Sequence, residues 1–301
     1  MDPAQIDRAA QRIAGRSRAH RTGSLARLCL CALAVACAHG RPPGRDLVER
    51  LTGPRVGAHR GGFRYVDSNT LARFESARLA GVDAIETDLR LSKDGVVFLF
   101  HDADLAPATV CSGPLAERTA AELAACTLRG LDHGPDTFEA MLSWDAGRVV
   151  IDADLKAREV IGPALELVRR FDAYEWIFLE AGDGLPLYRE IRALDERVAL
   201  EVGPAAGSGE AGLRELLALR DPRLLVVGLR PETLTDGNVG LVHASGRVVA
   251  VNAWTLADEP AEPLPGRRRI ASCALAFARG VDVAVSNVPE DCVRQRDASA
   301  R

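Results

Sequence analysis

The chain has 301 residues, of which 47% are hydrophobic and 27% are charged, a balance typical of a globular protein with a large buried core. Its formal net charge is −4, so there is no basic surface to indicate a nucleic-acid partner. The 38 basic residues include only two lysines, Lys93 and Lys156, which makes each lysine of this arginine-rich chain worth attention.

The N-terminal stretch has the pattern of an export signal. Several arginines precede the apolar run Leu28–Ala36, which is too short to cross a bilayer as a helix. The segment Ala34–Cys37 is similar to a bacterial lipobox, and its small residues would also suit an ordinary signal peptidase. We therefore expect an exported protein, either periplasmic or tethered to a membrane through a lipid on Cys37. The alternative is a disordered basic leader on a cytosolic protein.

The composition divides the chain into three parts. Residues 1–53 are expected to form the leader and a linker rich in Gly, Pro and Arg, 54–292 a single folded domain, and 293–301 a C-terminal tail. The folded domain contains Cys111, Cys126, Cys273 and Cys292. In an oxidising compartment the local pairs would be the first with the second and the third with the fourth, and four free thiols are the alternative.

Strand-like and helix-like segments alternate through the folded domain. The strand candidates end near Ala58, Leu89, Phe100, Asp154, Leu179, Val202, Leu229, Asn252 and Val285. The helix candidates are Asn69–Ala80, Glu117–Cys126, Thr137–Trp144, Gly162–Phe171, Leu185–Leu194, Glu210–Arg220 and Ile270–Arg279. Ser68 or Asn69 can cap the first of these helices.

Nine strands are one too many for an eight-stranded barrel, and a hairpin accounts for the extra one. Asp94 and Gly95 form a strong hairpin-turn signal between two strand-like runs, so Val96–Phe100 would fold back as a short arm. With these two residues at the centre of the turn, Asp88 would lie opposite His101. The fold class we predict is α/β, a (β/α)8 TIM-type barrel with a hairpin arm. A doubly wound open sheet is the alternative, but no glycine-rich phosphate-binding loop follows a strand.

Polar residues lie at the predicted strand ends, where barrel enzymes place their active sites. Two carboxylates on one strand and a third from another strand make an all-oxygen site that suits Mg²⁺ or Ca²⁺. Histidines beside such a site supply a general acid and a general base, and fixed cations stabilise the developing charge of a phosphate ester. The pattern therefore indicates metal-dependent chemistry on a phosphate ester.

The order and spacing of these motifs resemble the glycerophosphodiester phosphodiesterase family from about Val56 to Pro289. The matching segments are His59-Arg60-Gly61, Asn69-Thr70, Ile85-Glu86-Thr87-Asp88, Asp94-Gly95, His101-Asp102, Asp154-Leu155-Lys156, Trp254-Thr255 and Gly280 to Pro289. The resemblance implies a (β/α)8 barrel that hydrolyses glycerophosphodiesters to an alcohol and glycerol 3-phosphate with a divalent cation, Ca²⁺ or Mg²⁺.

The resemblance also implies a role for each matching position. Glu86, Asp88 and Asp154 would be the metal ligands, although Asp152 shares a strand face with Asp154 and is an alternative ligand. His59 and His101 would be the acid/base pair. The substrate-binding residues would be Arg60 and Lys156, which would hold the phosphate, and Trp254, which would line the pocket.

Three departures from the family pattern leave alternatives open. Asp67-Ser68 replaces a Pro-Glu pair, Asp154 replaces a Glu, and Ser286-Asn287 replaces a Thr-Asp pair. A catalytically impaired barrel that binds phosphodiesters or lipid is one alternative, and a phospholipase D-like or cyclising relative is another. Glu180, Glu201 and Arg230 also lie near predicted strand ends, either in the pocket wall or on the surface.

Overall fold

The computed structural model describes residues 45–62, 68–256 and 273–299. The expected leader, Cys37 and Asp67 lie outside these residues. The strands of the described part are β1 Arg55–His59, β2 Ala84–Leu91, β3 Val97–Leu99, β4 Val150–Leu155, β5 Ile177–Asp183, β6 Ala199–Gly203, β7 Leu224–Leu229, β8 Val248–Asn252 and β9 Val283–Ser286.

Helices separate most of the strands along the chain. They are α1 Arg45–Leu51, α2 Leu71–Leu79, α3 Ala120–Ala124, α4 Phe138–Asp145, α5 Ile161–Arg170, α6 Leu185–Leu194, α7 Gly209–Leu217, α8 Asp236–Ala244, α9 Cys273–Ala278 and α10 Pro289–Ser299. Short 3₁₀ helices occupy Leu115–Glu117, Arg158–Val160, Ala173–Glu175 and Ala253–Thr255. No helix of the described ranges has the length and apolar character needed to cross a bilayer.

Eight parallel strands close into a barrel. The strand order is β1-β9-β8-β7-β6-β5-β4-β2, and β1 also pairs with β2, which completes the ring. The ninth strand, β3, pairs antiparallel with β2 outside the ring. The predicted (β/α)8 barrel with a hairpin arm is therefore confirmed.

Threonine side chains fix the start of several helices. Thr70, Thr119, Thr137 and Thr235 each accept a hydrogen bond from a backbone N–H of the first turn of α2, α3, α4 and α8. Such a cap contributes about 1 kcal/mol, because it satisfies an N–H group that has no partner inside the helix. Thr70, rather than the predicted Ser68 or Asn69, is thus the cap of α2.

The barrel interior is apolar at the N-terminal ends of the strands, and α1 covers it there. Leu47 and Leu51 have no exposed surface. They pack against inward-facing residues at the start of the strands, such as Ala84, Val150 and Phe178. Part of the expected linker is therefore a helix, because its leucines four positions apart lie on one face and find an apolar surface to cover. The polar side chains are left at the other end of the barrel.

The hairpin at Asp94-Gly95 has a different register from the one predicted. Ser92 and Val96 pair across the loop, with Ser92 N donating to Val96 O at 2.9 Å, so three residues form the turn. Only Gly95 of the predicted pair takes a left-handed backbone, with φ +86°. Phe100, rather than His101, therefore faces Asp88, and its N–H donates to Asp88 O at 2.9 Å. The predicted pairing of Asp88 with His101 is wrong by one residue, because the Ser92 hydroxyl accepts from Val96 N and stabilises the longer loop.

Two disulfides join the locally predicted cysteine pairs. Cys111 is bonded to Cys126, with Cα atoms 5.8 Å apart, and Cys273 is bonded to Cys292, with Cα atoms 5.5 Å apart. The first closes a loop that packs on the hairpin arm, and the second joins α9 to α10. Each removes conformational freedom from the unfolded chain and contributes roughly 3 kcal/mol.

Candidate active site

The predicted site residues converge at the carboxyl ends of the barrel strands. Seven of the eight line one cavity of about 570 Å³, namely His59, Arg60, Glu86, His101, Asp154, Lys156 and Trp254. The eighth, Asp88, lies behind Arg60 and Lys156 and has no exposed surface. The barrel therefore brings together side chains that are nearly 200 residues apart in the sequence.

His59 is held at the end of β1 by two distant residues. Its Nδ1 lies 2.5 Å from Oδ1 of Asn287, and its ring stacks on Trp254 with centroids 4.1 Å apart. An amide oxygen only accepts, so Nδ1 carries the proton and Nε2, which lies 3.8 Å from Glu86 Oε2, is left as an acceptor. Burial, helped by the charge of Arg60, lowers the pKa of His59 from 6.5 to about 3. The neutral ring is thus strongly favoured.

A tight turn after β1 aims Arg60 at the acids. Arg60 has φ +53° and Gly61 has φ +78°, which reverses the chain within two residues. A Cβ atom on Gly61 would lie 2.9 Å from Phe74 Cδ1, so a larger residue would collide with α2. The backbone N–H of Arg60 donates to Glu86 Oε2 at 2.8 Å, and its Nε lies 2.9 Å from Asp88 Oδ2.

The three predicted metal ligands form a compact group. One oxygen each from Glu86, Asp88 and Asp154 lies within 4.8 Å of the others, and this is the only such group that the described residues form. Burial raises the pKa of Glu86 well above its ordinary value, and the charges of Asp88 and Asp154 add to this. A divalent cation would relieve this repulsion, and a set of carboxylate oxygens is what Mg²⁺ and Ca²⁺ prefer. The residues therefore fit such an ion.

Lys156 lies beside the same acids. Its Nζ is 2.8 Å from Asp88 Oδ1 and also contacts Asp154. Burial opposes the ionisation of Asp88, but the charges of Lys156 and Arg60 outweigh it and lower the pKa of that carboxyl. The ammonium and the guanidinium together supply the positive charge that a phosphate would meet in this cavity.

His101 follows the hairpin arm and enters the cavity from the rim. Its Nδ1 lies 2.9 Å from Asp102 Oδ1, and its side chain is 39% exposed. Arg90 Nε donates to the His101 carbonyl at 2.7 Å and holds the backbone there. The two histidines thus differ in partner, because His59 is held by a neutral amide and His101 by a carboxylate.

Asn69 is a site residue that the sequence indicated only as a possible helix cap. It is buried, has φ +59°, donates from Nδ2 to Asp88 Oδ2 at 2.7 Å and accepts from Thr87 Oγ1 at 2.9 Å. Asn287 was likewise noted only as a departure from the family. The Asn69-Thr70 motif was a signal for the first, because asparagine tolerates positive φ while its amide supplies a donor.

Three further acids line the cavity beside the predicted metal ligands, with Asp152 in register with Glu86 and Glu180 in register with Asp154. Asp152, Glu180 and Glu201 lie on β4, β5 and β6, and Arg230 follows β7. Of the two locations considered for Glu180, Glu201 and Arg230, the pocket wall is thus the correct one. Burial raises the pKa of each of the three acids, to about 7 for Glu201, and neighbouring carboxylates add to the effect.

Comparison with known proteins gives a consistent result. Residues 59–202 match the model of the glycerophosphoryl diester phosphodiesterase family. Over 231 residues the chain is 30% identical to the probable glycerophosphodiester phosphodiesterase 2 of Mycobacterium tuberculosis, an alignment that covers 72% of this chain and 85% of that protein.

Solved structures share the fold. A glycerophosphoryl diester phosphodiesterase from Parabacteroides distasonis matches with a TM-score of 0.69 and 20% identity, covering 86% of this chain and 93% of that chain. A phosphodiesterase from Oleispira antarctica, solved with the product sn-glycerol-3-phosphate, matches with a TM-score of 0.63 and 19% identity, covering 81% of this chain and 97% of that chain. At these identities the similarity establishes the barrel architecture.

Proposed function

The chain belongs to the glycerophosphoryl diester phosphodiesterase family, and from this premise we propose that it hydrolyses glycerophosphodiesters to an alcohol and glycerol 3-phosphate. It is then a metal-dependent phosphoric diester hydrolase. The observation that carries the proposal is the convergence of side chains at one cavity. They are two histidines, Arg60, Lys156 and the acid cluster, which consists of Glu86, Asp88 and Asp154.

Glu86, Asp88 and Asp154 would hold the divalent cation, which we propose to be Ca²⁺ or Mg²⁺. When bound, such an ion supplies positive charge against the phosphoryl oxygens and lowers the barrier to displacement at phosphorus. Asp154, which is one methylene shorter than the family's glutamate, still places an oxygen within the cluster.

The side chains of the cavity bind the phosphate and transfer the protons. Arg60 and Lys156 hold the negatively charged phosphate oxygens in the cavity. His59, with its acceptor Nε2 left free of a proton by Asn287, removes a proton from the attacking water. His101 then protonates the departing alcohol oxygen, and Asp102 stabilises the charged ring that does so. A new bond from the water oxygen to phosphorus thus replaces the bond to the alcohol oxygen.

The alternatives are less favoured by these observations. Both histidines and all three acids are present and converge, so the departures from the family pattern do not remove any group that the chemistry needs. Several of the matching relatives are named as phosphodiesterases, which supports turnover over binding alone. Phosphorus NMR of the product separates hydrolysis from cyclisation, because only cyclisation gives a cyclic phosphodiester.

The central experiment measures release of glycerol 3-phosphate from glycerophosphocholine and related diesters with Mg²⁺ or Ca²⁺. We expect turnover that a chelator abolishes and that His59→Ala or His101→Ala lowers by about 100-fold or more. His133→Ala, at an exposed histidine outside the cavity, is the matched control. Undiminished turnover by both cavity variants would reject the proposed mechanism.

We also propose export, with a lipid on Cys37, on the strength of the N-terminal sequence. The prediction is that the full chain, expressed in a bacterium, is recovered with the membrane fraction and that Cys37→Ser releases it. Recovery of both forms in the cytosolic fraction would contradict it.

A further inference from the structure

Three carboxylates form a wall of the cavity that the proposed mechanism does not use. Asp152, Glu180 and Glu201, here called the acid wall, lie on three consecutive strands of the barrel. Glu180 is in register with Asp154 on one side and with Glu201 on the other, and Asp152 is one inward position deeper on β4. Neighbouring strands lie about 4.8 Å apart, so the wall presents its carboxyl groups over a broad surface.

Among the residues that the structure describes, no side chain forms an ion pair with the acid wall. Asp152 is 4% exposed, and its Oδ1, like Oε2 of Glu201, is buried without a hydrogen-bond partner. Within the described ranges of the chain, none of the three carboxylates accepts a hydrogen bond or forms an ion pair. Buried carboxylates are ordinarily paired, and one that faces a cavity without a partner indicates that a ligand supplies the partner.

Charge is therefore divided between two sides of one cavity. On the side of β1, β2 and β4, Arg60 contacts Asp88, and Lys156 contacts Asp88 and Asp154. On the side of β5 and β6, Glu180 and Glu201 form no ion pair within the described part of the chain, and Arg230 lines the cavity after β7. A ligand that is complementary to both sides carries negative charge at one end and positive charge at the other.

We propose that the acid wall binds a positively charged ammonium group on the alcohol half of the substrate, so that the enzyme selects glycerophosphodiesters of amino alcohols. This rests on the proposed function, because the phosphate of the same molecule occupies the side of Arg60 and Lys156. Such diesters are zwitterions in which a short carbon chain separates phosphate from ammonium, and they match the order of charges in the cavity.

A second divalent cation fits the acid wall less well. The only carboxylate group of the described residues whose oxygens converge within 4.8 Å is Glu86, Asp88 and Asp154. Mg²⁺ and Ca²⁺ require several ligand oxygens that all lie roughly 2.0–2.6 Å from the ion. An ammonium group carried on an alkyl chain is larger and can contact several carboxylates along a wall.

The neighbouring strand leaves room for the carboxylate of Glu201. A Cβ atom on Gly228 of β7 would lie 2.5 Å from Glu201 Oε1, so any side chain there would displace it. Gly182 and Gly203, which also line the cavity, likewise add no side chain to the wall. The head group would therefore meet carboxylates and backbone on this side.

The first experiment needs only the wild-type protein loaded with Mg²⁺ or Ca²⁺. It compares kcat/KM for glycerophosphoethanolamine and glycerophosphocholine with kcat/KM for glycerophosphoglycerol, whose alcohol is neutral. We expect the two charged substrates to be preferred by about tenfold or more, as a close buried charge pair provides. Equal values for all three substrates would overturn the inference and leave the proposed function standing. Absence of turnover for every diester would instead defeat the proposed function.

The second experiment removes the charge at constant shape with Glu180→Gln and Glu201→Gln. The ratio of kcat/KM for glycerophosphoethanolamine to that for glycerophosphoglycerol should fall about tenfold, mainly through KM of the charged substrate. Glu196→Gln, at an exposed glutamate, should leave this ratio at the wild-type value. Thermal unfolding curves establish that each variant is folded, and Gly228→Ala, which displaces Glu201, gives an independent reduction of the ratio.

Two results would overturn the inference even if the variants lose activity. An equal loss on both substrates means that the acid wall binds the glycerol half, which they share. A loss that is reversed by raising the concentration of Mg²⁺ or Ca²⁺ means that the wall holds a second metal ion.

Discussion

Hydrogen-bond partners at the site decide what each histidine can do. His59 is paired with the neutral Asn287 and His101 with the charged Asp102. The motifs in the sequence identified both histidines, but neither motif contains the partner of His59, which comes from the last strand of the barrel. Side chains within a motif could thus be predicted, while partners from distant strands could not, because they depend on register and closure.

The pairing of His59 with an amide leads to a prediction about pH. Asn287→Asp would place a negative charge 2.5 Å from Nδ1, the distance at which Asn287 Oδ1 now lies, and raise the pKa of His59 from its present value of about 3. A base must be unprotonated, so the acidic limb of kcat/KM should move to higher pH by about one unit or more. Asn287→Ala is the control, which should lower kcat/KM without moving that limb upward. An unshifted limb in Asn287→Asp would contradict the assigned role of His59.

Asn69 gives a prediction about stability. Asn69→Ala removes the amide that donates to the buried Asp88 and leaves a Cβ residue at φ +59°. The expected loss is about 1–3 kcal/mol in the free energy of unfolding, measured in urea with chelator present. Asn69→Gly tolerates the same φ and isolates the lost hydrogen bond, so it should be destabilised by less than Asn69→Ala. Wild-type stability in both variants would show that Asp88 does not need this donor.

Among the elements, strands were easier to predict than helices. Each strand of the barrel alternates or runs together apolar residues between turn signals, and all eight were found, along with the hairpin arm. Helices α1, α8 and α10 were missed because their amphipathic patterns are weak or short and their packing surface is supplied by the rest of the barrel. The hairpin register was missed because the Ser92 hydroxyl, rather than the Asp-Gly pair, determines the length of the loop.

Helix α1 yields a prediction that tests its structural role. Leu51→Ala should lower the free energy of unfolding by about 2–4 kcal/mol, since Leu51 is fully buried against the apolar half of the barrel interior. The matched control is Leu194→Ala on α6, the same substitution at a leucine that is 56% exposed, with an expected change below about 0.5 kcal/mol. Equal effects would mean that α1 does not contribute to the core.

At the scale of the whole molecule, the barrel gathers a group of buried charged side chains around one cavity. Six acidic side chains, Glu86, Asp88, Asp152, Asp154, Glu180 and Glu201, are gathered around the cavity against Arg60 and Lys156. The sequence predicted half of these acids through their motifs. The other half were noted near strand ends with their roles left open, and the register of the strands places them in the cavity.

The clustering of these acids around the cavity predicts that metal binding stabilises the fold. An ion that binds the native state alone raises the unfolding temperature as its concentration increases. Addition of Mg²⁺ or Ca²⁺ to chelated protein should therefore raise the unfolding temperature, and Glu86→Gln with Asp154→Asn should abolish the rise. Glu196→Gln, outside the cavity, should keep it. No shift in the wild-type protein at millimolar metal would contradict a site at the acid cluster.

The acid wall predicts a change of stability with pH. Burial raises the pKa of Glu201 to about 7, so between pH 4.5 and 7 the folded protein holds a proton that the unfolded chain releases. Its contribution to stability is full below pH 4.5 and is lost as the pH rises toward 7. Glu201→Gln should therefore be more stable than wild type at pH 8 by about 1–3 kcal/mol, and no more stable at pH 4, in chelator. The same gain at both pH values would refute a titrating Glu201.

The pairing of β1 with β9 has a consequence for how the chain is made. β1 cannot pair with β9 until residues 283–286 have been synthesised. Until then the nascent sheet has two unpaired edges, open to chaperones and to other chains. Ring closure is a contact between strands more than 220 residues apart, which makes it slow compared with the local hairpin and helices. A polypeptide that closes its ring last cannot complete its barrel until nearly the whole chain has been synthesised.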